Sequence, residues 1–381
     1  MNQPITIIGS GLAGYNLARE IRKQAADVPL RLISFDSGAF YSKPMLSNAL
    51  ASNKSAAQLA MKTAAQMAAE LRAEVLGDTR VTAIDAAQRR LHSSAGEFAY
   101  DKLVLALGAD TFTPPLAGDG AADVLSVNDL ADYARFRERL YGKQRVLLLG
   151  AGLIGCEFAN DLRLGGFTVE LVDLAPWPLS RLLPRQAGER MQQALEAIGI
   201  GFHLGVSASM VERAGEGYRI TLSNGEVLEA DLVLSAVGLR PRIALAQAAG
   251  LTVNRGVVVD RQLRSSDPHI YALGDCAEVA GQVLPYVLPI MQSARALGPT
   301  LAGTPTEVSY PAMPVVVKTP ACSTVAAPPL PGVEGEWQIE ADAAGMAALY
   351  QSRAGELLGF ALLGSATAQR QALSARLPAL L

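Results

Sequence analysis

Two glycine fingerprints constrain this chain more than any other feature. Gly9-Ser10-Gly11-Leu12-Ala13-Gly14 and Gly150-Ala151-Gly152-Leu153-Ile154-Gly155 each close a short apolar run and open a segment with helical spacing. In such a unit the first glycine permits the tight turn. The second lets the backbone approach a pyrophosphate, and the third lets helix and strand pack closely. The helix N-terminus then offers free N–H groups and a positive dipole end to the phosphates. An acid is needed near the end of the following strand to hold a ribose hydroxyl. Asp36 lies 22 residues beyond Gly14, and Asp173 lies 18 beyond Gly155.

A carboxylate at Asp173 would accept from the 2′-hydroxyl of NADH and repel the 2′-phosphate of NADPH, so NADH is expected and NADPH disfavoured. Arg181 and Arg185 follow and could meet a phosphate, but they read as a solvated helix start. A single-site dehydrogenase does not need two such units. A flavin enzyme that takes hydride from a nicotinamide does.

The remaining apolar runs support the same architecture. Ile5–Ile8, Leu30–Ile33, Leu103–Leu107, Val146–Leu149, Val169–Val172 and Leu232–Val237 are short and rich in β-branched residues or Leu, as buried parallel strands are. Tyr15–Gln24 and Cys156–Leu164 carry helical spacing between them. This alternation implies βαβ units in doubly wound sheets. The order strand, fingerprint, helix, strand and acid occurs twice. Each copy is later followed by an apolar strand ending in glycine, at Gly108 and at Gly238.

The expected fold is therefore α/β, with two nested Rossmann-like dinucleotide-binding domains and a small C-terminal α/β domain. Residues 1–110 and 241–308 would form the FAD-binding domain, 111–240 the NADH-binding domain and 309–381 the C-terminal domain. The Pro-rich stretch from Pro305 to Gly335 reads as a boundary or surface ribbon. Strand-like patches follow at Val315–Lys318, Trp337–Ile339, Ala347–Tyr350 and Phe360–Leu363, with a helix-like tail from Ala366.

Composition excludes several other classes. Half of the residues are hydrophobic and 18% are charged, which is enough for a sizeable core and against disorder. Net charge is −3 and no long basic tract occurs, so neither nucleic acid nor an anionic membrane is an expected partner. No apolar run reaches the roughly 18 residues of a membrane helix. The N-terminus enters the Ile5–Ile8 run without a basic leader, so a cytoplasmic location is expected. Cys156, Cys276 and Cys322 form no CxxC or CxxxxC pair, which argues against a disulfide framework, a zinc site or a redox dithiol. Cys276 reads as small, buried and inert. His92, His203 and His269 share no ligand spacing and read as structural or surface residues; no metal site is expected.

Further residues resemble a known family. Ile270-Tyr271-Ala272-Leu273-Gly274-Asp275 resembles the second FAD signature of the flavoprotein reductases with two dinucleotide-binding domains. Leu105-Ala106-Leu107-Gly108 is similar to that family's Ala-Thr-Gly strand, with Leu107 in place of Thr, and Ser235-Ala236-Val237-Gly238-Leu239-Arg240-Pro241 to its counterpart after the NAD domain. Matches run from about residue 5 to 320. Tyr41-Ser42-Lys43-Pro44-Met45-Leu46-Ser47 resembles the Arg-Pro-Pro-Leu-Ser-Lys motif of the ferredoxin reductase branch, with Lys43 replacing Arg and Asn48 standing where a second Lys would be. Together with Val317-Lys318-Thr319-Pro320-Ala321-Cys322 and a short C-terminal domain, that variant is most similar to the rubredoxin reductases, with flavorubredoxin reductases as close cousins.

The resemblance implies electron flow from NADH through FAD to a small iron–sulfur carrier, most simply rubredoxin, with flavorubredoxin or ferredoxin as alternatives. It implies FAD contacts at Gly9, Gly11, Leu12, Ala13, Gly14, Asp36, Pro44, Val81, Ala106, Gly108, Gly274, Asp275 and Val287. NADH contacts are implied at Gly150, Gly152, Leu153, Ile154, Gly155, Asp173 and Gly238. Lys43 would sit by flavin N5, where a cation stabilises reduced flavin. Glu157 would face the same ring and pair with Lys43 or with Lys318, the latter near the flavin edge. The plain alternative for Glu157 is an acid favoured in a first helical turn, and for Lys318 a solvated strand residue. The short last domain favours a monomer. A thiol-dependent oxidase or peroxidase would need a reactive cysteine that none of the three supplies. A non-catalytic redox sensor would not need the intact second fingerprint with Asp173.

Overall fold

The structure is a computed structural model that describes residues 3–381. Its first sheet has five parallel strands, in the order Ile270–Ala272, Lys102–Leu105, Ile5–Ile8, Leu30–Ile33 and Glu74–Leu76. Ile5–Ile8 lies in the middle, and all four of its residues are buried. That explains why three of the four are isoleucine and why the one polar residue, Thr6, is enclosed with them rather than set on a solvent face. The helix Leu12–Gln24 turns Tyr15, Leu17, Ala18 and Ile21 into the core and places Arg22 and Lys23 in its last turn, where the helix dipole favours cations.

The second sheet repeats the pattern with four parallel strands, Ile200–Leu204, Thr168–Asp173, Arg145–Leu149 and Leu232–Ser235. Here too the strand before the fingerprint is central. Two of the expected strands are shorter than their apolar runs. Leu103–Leu107 stops pairing at Leu105, and Leu232–Val237 stops at Ser235. Each chain must leave its sheet there, beside a fingerprint. A three-stranded antiparallel sheet accompanies each parallel one, at Val81–Ala99 and at Ala208–Ala230.

The chain crosses between the two parallel sheets through one narrow ribbon. Ala109–Thr111 leads out of the first and pairs antiparallel with Leu239–Pro241, which leads back. The outgoing and returning segments therefore lie side by side.

The last part of the chain is a five-stranded antiparallel sheet. Its order is Val315–Val317, Thr324–Ala327, Leu357–Gly364, Gly345–Gln351 and Glu336–Ala341. A short helix, Arg370–Ser374, follows. The stretch from Pro305 to Gly335 is thus not a surface ribbon: it supplies two of the five strands. Thr324–Ala327, which carried no expectation, is buried along its whole length. In the central strand, Ala361 and Leu363 pack with the second parallel unit while Phe360 and Leu362 pack into a separate cluster on the other face. Alternation of side chains along one strand thus feeds two cores.

Candidate functional site

Each fingerprint glycine meets its own steric condition. A Cβ on Gly9 would lie 2.2 Å from the Ala106 carbonyl oxygen, and one on Gly14 would lie 1.9 Å from that of Gly9. These contacts are backbone against backbone, so no side chain can yield. A Cβ on Gly11 would meet nothing within 4 Å. The middle glycine therefore leaves open space at the N-terminus of the Leu12–Gln24 helix, where a phosphate would sit. The second fingerprint behaves alike. A Cβ on Gly155 would lie 1.8 Å from the Gly150 carbonyl oxygen, and Gly152 has open space. Leu12 and Ala13, like Leu153 and Ile154, open their helices.

The two acids are fixed by short-range bonds. One oxygen of Asp36 accepts from Ser34 Oγ at 2.6 Å, Ser10 Oγ at 3.0 Å and the Gly38 N–H at 3.0 Å. The first fingerprint, through Ser10, is thereby tied to the acid it needs. Asp173 accepts from the Ala151 N–H and, at 2.7 Å, from the Ala175 N–H. Arg185 is drawn off by Glu189 at 2.8 Å and leans over Trp177, as a solvated helix start would.

The second glycine–aspartate pair closes on the first fingerprint. A Cβ on Gly274 would lie 3.0 Å from Ala13 Cβ. Asp275 accepts no hydrogen bond within the chain among the described residues. Burial pushes its carboxyl above the usual range, and only the charge of Lys43 opposes that. The Lys43 ammonium is lowered first by burial, with Asp275 pulling it back up. A recessed carboxylate and a recessed cation thus act on each other. A carboxylate without donors suits a ligand hydroxyl, and the space at Gly11 suits a pyrophosphate, so the residues fit FAD. Val287 opens the long helix Val287–Leu301 with Pro289 in its first turn, where a missing N–H costs nothing. Val81 opens an edge strand, Gly108 ends the loop after Lys102–Leu105, and Gly238 precedes the returning ribbon.

The third group joins all three parts of the chain. Glu157 is 3% exposed. One of its oxygens accepts from the Lys318 backbone N–H at 3.0 Å, and the other from the Lys318 ammonium at 2.7 Å and Ser47 Oγ at 2.6 Å. The same ammonium donates to Asn48 Oδ1 at 2.6 Å and to the Pro44 carbonyl. Of the two partners open to Glu157, the structure selects Lys318. Lys43 donates instead to Asn128 Oδ1 at 2.6 Å, and Asn128 donates to the Ala109 carbonyl at 2.9 Å. Lys318 is not a solvated strand residue, because its donors are engaged. Nor does Glu157 lie in a first helical turn: the helix begins at Leu153, and its first turn holds no acid. The dipole explanation does not account for it.

Sequence reasoning missed Asn128, Asn160 and Asp161. Asn128 carries no signal of its own. Asn160 and Asp161 could have been found, because with Glu157 they put polar groups at i, i+3 and i+4 in a helix whose other residues, Arg163 apart, are apolar. The three cysteines are buried and free. Burial pushes the Cys276 thiol up to about 11 and raises those of Cys156 and Cys322 as well. His203 lies between Glu170 and Glu226, both at 3.1 Å, and His269 meets Arg89.

Two mononucleotide-type sheets joined by a ribbon, each with a fingerprint and a fixed acid, define a class. The family model for pyridine nucleotide-disulphide oxidoreductases matches residues 3–297, and the chain belongs to that family. A model for the rubredoxin-binding C-terminal domain matches residues 307–377. The chain is 51% identical to a rubredoxin–NAD(+) reductase of Alcanivorax borkumensis, over 99% of each chain. It is 40% identical to a nitric oxide reductase FlRd–NAD(+) reductase of Aeromonas hydrophila, over 96% of this chain and 94% of that one. Among solved structures it resembles a ferredoxin reductase of Rhodopseudomonas palustris, with a TM-score of 0.89 and 28% identity, over 99% of this chain and 96% of that one.

Proposed function

We propose that this protein is an NADH-dependent, FAD-containing reductase that delivers electrons to rubredoxin. The observation that carries the reading is the Glu157–Lys318 pair. It joins the helix of the second fingerprint to the part of the chain that matches a rubredoxin-binding domain, beside the Lys43–Asn48 segment. That junction is where, on this reading, nicotinamide and iron–sulfur partner would approach the flavin.

When bound, FAD would supply the chemistry that turns one two-electron hydride transfer into two single-electron transfers. The chain's own residues hold and orient. Gly11 would receive the pyrophosphate in the turn that Gly9 and Gly14 allow, Asp36 the adenosine ribose and Asp275 a ribitol hydroxyl. Pro44, Val81, Ala106, Gly108, Gly274 and Val287 complete the wall. Gly150, Gly152, Gly155, Asp173 and Gly238 receive NADH, with the Asp173 carboxylate repelling a 2′-phosphate. Lys43 places a cation in the flavin-facing wall, and Glu157 and Lys318 fix the edge where nicotinamide and partner approach. The residues between the two ribbon strands, about 111–240, act as the NADH-binding unit, flanked by a FAD-binding unit of 1–110 and 241–308. Residues 309–381 form the partner-facing cap. No helix among the described residues is long and apolar enough to cross a membrane.

Rapid mixing of the holoenzyme with NADH should bleach the flavin, and oxidised rubredoxin should restore it much faster than a ferredoxin does. Equal reoxidation by both would remove rubredoxin as the preferred acceptor. Absence of bleaching by either NADH or NADPH would remove the mechanism.

A further inference from the structure

The helix Leu153–Leu164 carries three buried polar residues on one face, Glu157, Asn160 and Asp161. Each grips a different stretch of backbone. Glu157 holds the Lys318 N–H, and Asn160 Oδ1 holds the Ala321 N–H at 3.1 Å. Asp161 holds the N–H groups of Leu50 at 2.8 Å and Ala51 at 3.2 Å. Leu50 and Ala51 follow, one residue on, the Lys43–Asn48 turn, which carries Lys43, Ser47 and Asn48. The helix Leu130–Arg139 grips the same loop: Tyr133 and Arg137 donate to the Lys54 carbonyl, and Arg137 also to Asn53.

Two carboxylates one turn apart on a buried helix face repel each other. Burial pushes the Asp161 carboxyl up, and the Leu50 and Ala51 N–H groups hold it down. A packed core would not need this second acid. Its effect is to fix where the Lys43–Asn48 turn sits relative to Glu157, from the NADH-binding side.

We infer that Asp161 is a positioning residue that sets the Lys43–Asn48 turn against Glu157 and Lys318, so that one helix both opens at the NADH fingerprint and locks the flavin-facing wall. The inference rests on the function proposed above. It predicts that loosening Asp161 disturbs Lys43, Ser47 and Asn48 without touching an NADH contact. Ala51 is exposed, so water can replace part of the lost bonding and the variants should fold.

The test uses holoenzyme Asp161→Ala, Asp161→Asn and Glu157→Gln beside wild type. Stopped-flow mixing gives the limiting rate of flavin reduction and the NADH dissociation constant, and peptide-level hydrogen exchange gives local order. Asp161→Ala should lower the limiting rate about tenfold, since small misplacements of reacting groups are costly, with NADH affinity unchanged within about twofold. Asp161→Asn, which keeps one acceptor oxygen, should recover part of the rate. Exchange should speed up across residues 43–49 as well as 50–54. A limiting rate within about twofold of wild type, or faster exchange confined to 50–54, overturns the inference. If Glu157→Gln itself leaves reduction unchanged, the proposed site fails and the inference with it. If Glu157→Gln slows reduction and Asp161→Ala does not, the site stands and the inference alone falls.

Discussion

Lys318 meets Glu157 twice, through its backbone N–H on one carboxylate oxygen and its ammonium on the other. The Glu157 side chain is 4% exposed and that of Lys318 34%. The acid is therefore the member that depends on its partner. Removing one member of a buried pair strands the other charge and costs about 3 kcal/mol or more. Lys318→Ala should be markedly destabilised, because Ser47 and one backbone N–H alone would face the carboxylate. Adding Glu157→Gln removes the stranded charge and should restore part of the loss. Urea unfolding of the two single variants and the double should give a coupling of at least about 1 kcal/mol. Additive effects would mean that the ion pair is not a unit.

The fingerprint glycines should separate folding from cofactor binding. In Gly14→Ala the new methyl would collide with the Gly9 carbonyl at 1.9 Å, so little folded protein should be recovered. Gly11→Ala meets no protein atom within 4 Å. It should fold, at a helix-cap cost of about 1 kcal/mol, yet emerge colourless with FAD affinity at least tenfold weaker. Circular dichroism and FAD titration measure the two quantities. A yellow Gly11→Ala protein with wild-type affinity would contradict the assigned phosphate position.

Asp275 should show a trade between stability and cofactor binding that depends on pH. Its folded pKa lies above the unfolded value because burial penalises the charged form. The sign follows from linkage. Below the unfolded value of about 4 both states are protonated and no cost arises, whereas above the folded pKa the full cost is present. Asp275→Asn, which cannot ionise, should therefore stabilise the apoprotein most near neutral pH, and the advantage should shrink as pH falls. The same change should weaken FAD binding. Apoprotein melting temperatures from pH 7 down to pH 4.5 test this; an advantage that grows towards acid would reverse the assignment.

Turnover should not need a cysteine. Thiolates, not thiols, react with alkylating agents, and burial holds all three thiols in the protonated form. Native holoenzyme treated with iodoacetamide at pH 8 should keep its mass and its NADH-dependent dye reduction. Loss of activity together with one carbamidomethyl group would point back to thiol chemistry.

Much of the fold was legible because its central strands are buried on both faces. Runs such as Ile5–Ile8 and Leu30–Ile33 are apolar apart from Thr6 and Arg31, and their bounds in sequence and structure coincide. Thr324–Ala327 was not legible. It contains two alanines and a threonine and owes its strand state to the neighbours it pairs with rather than to its own pattern. In the site, fingerprints and acids could be read because backbone sterics dictate glycine and spacing dictates the acid. The partner of Glu157 could not, since Lys43 and Lys318 satisfy the same local chemistry and only the packing of residues far apart in sequence decides between them. Asn128 was invisible for the same reason, lying 85 positions from the lysine it holds.

The first sheet is finished late. Its strand Lys102–Leu105 gains its outer neighbour only at Ile270–Ala272. On a ribosome making about 5–20 residues per second, that edge stays bare for on the order of ten seconds or more while the intervening chain emerges. The inserted unit, whose four strands lie within Arg145–Ser235, can close before its host does. In that order of emergence, the unit proposed above to take NADH can be complete while the one proposed to take FAD still waits for its last strand.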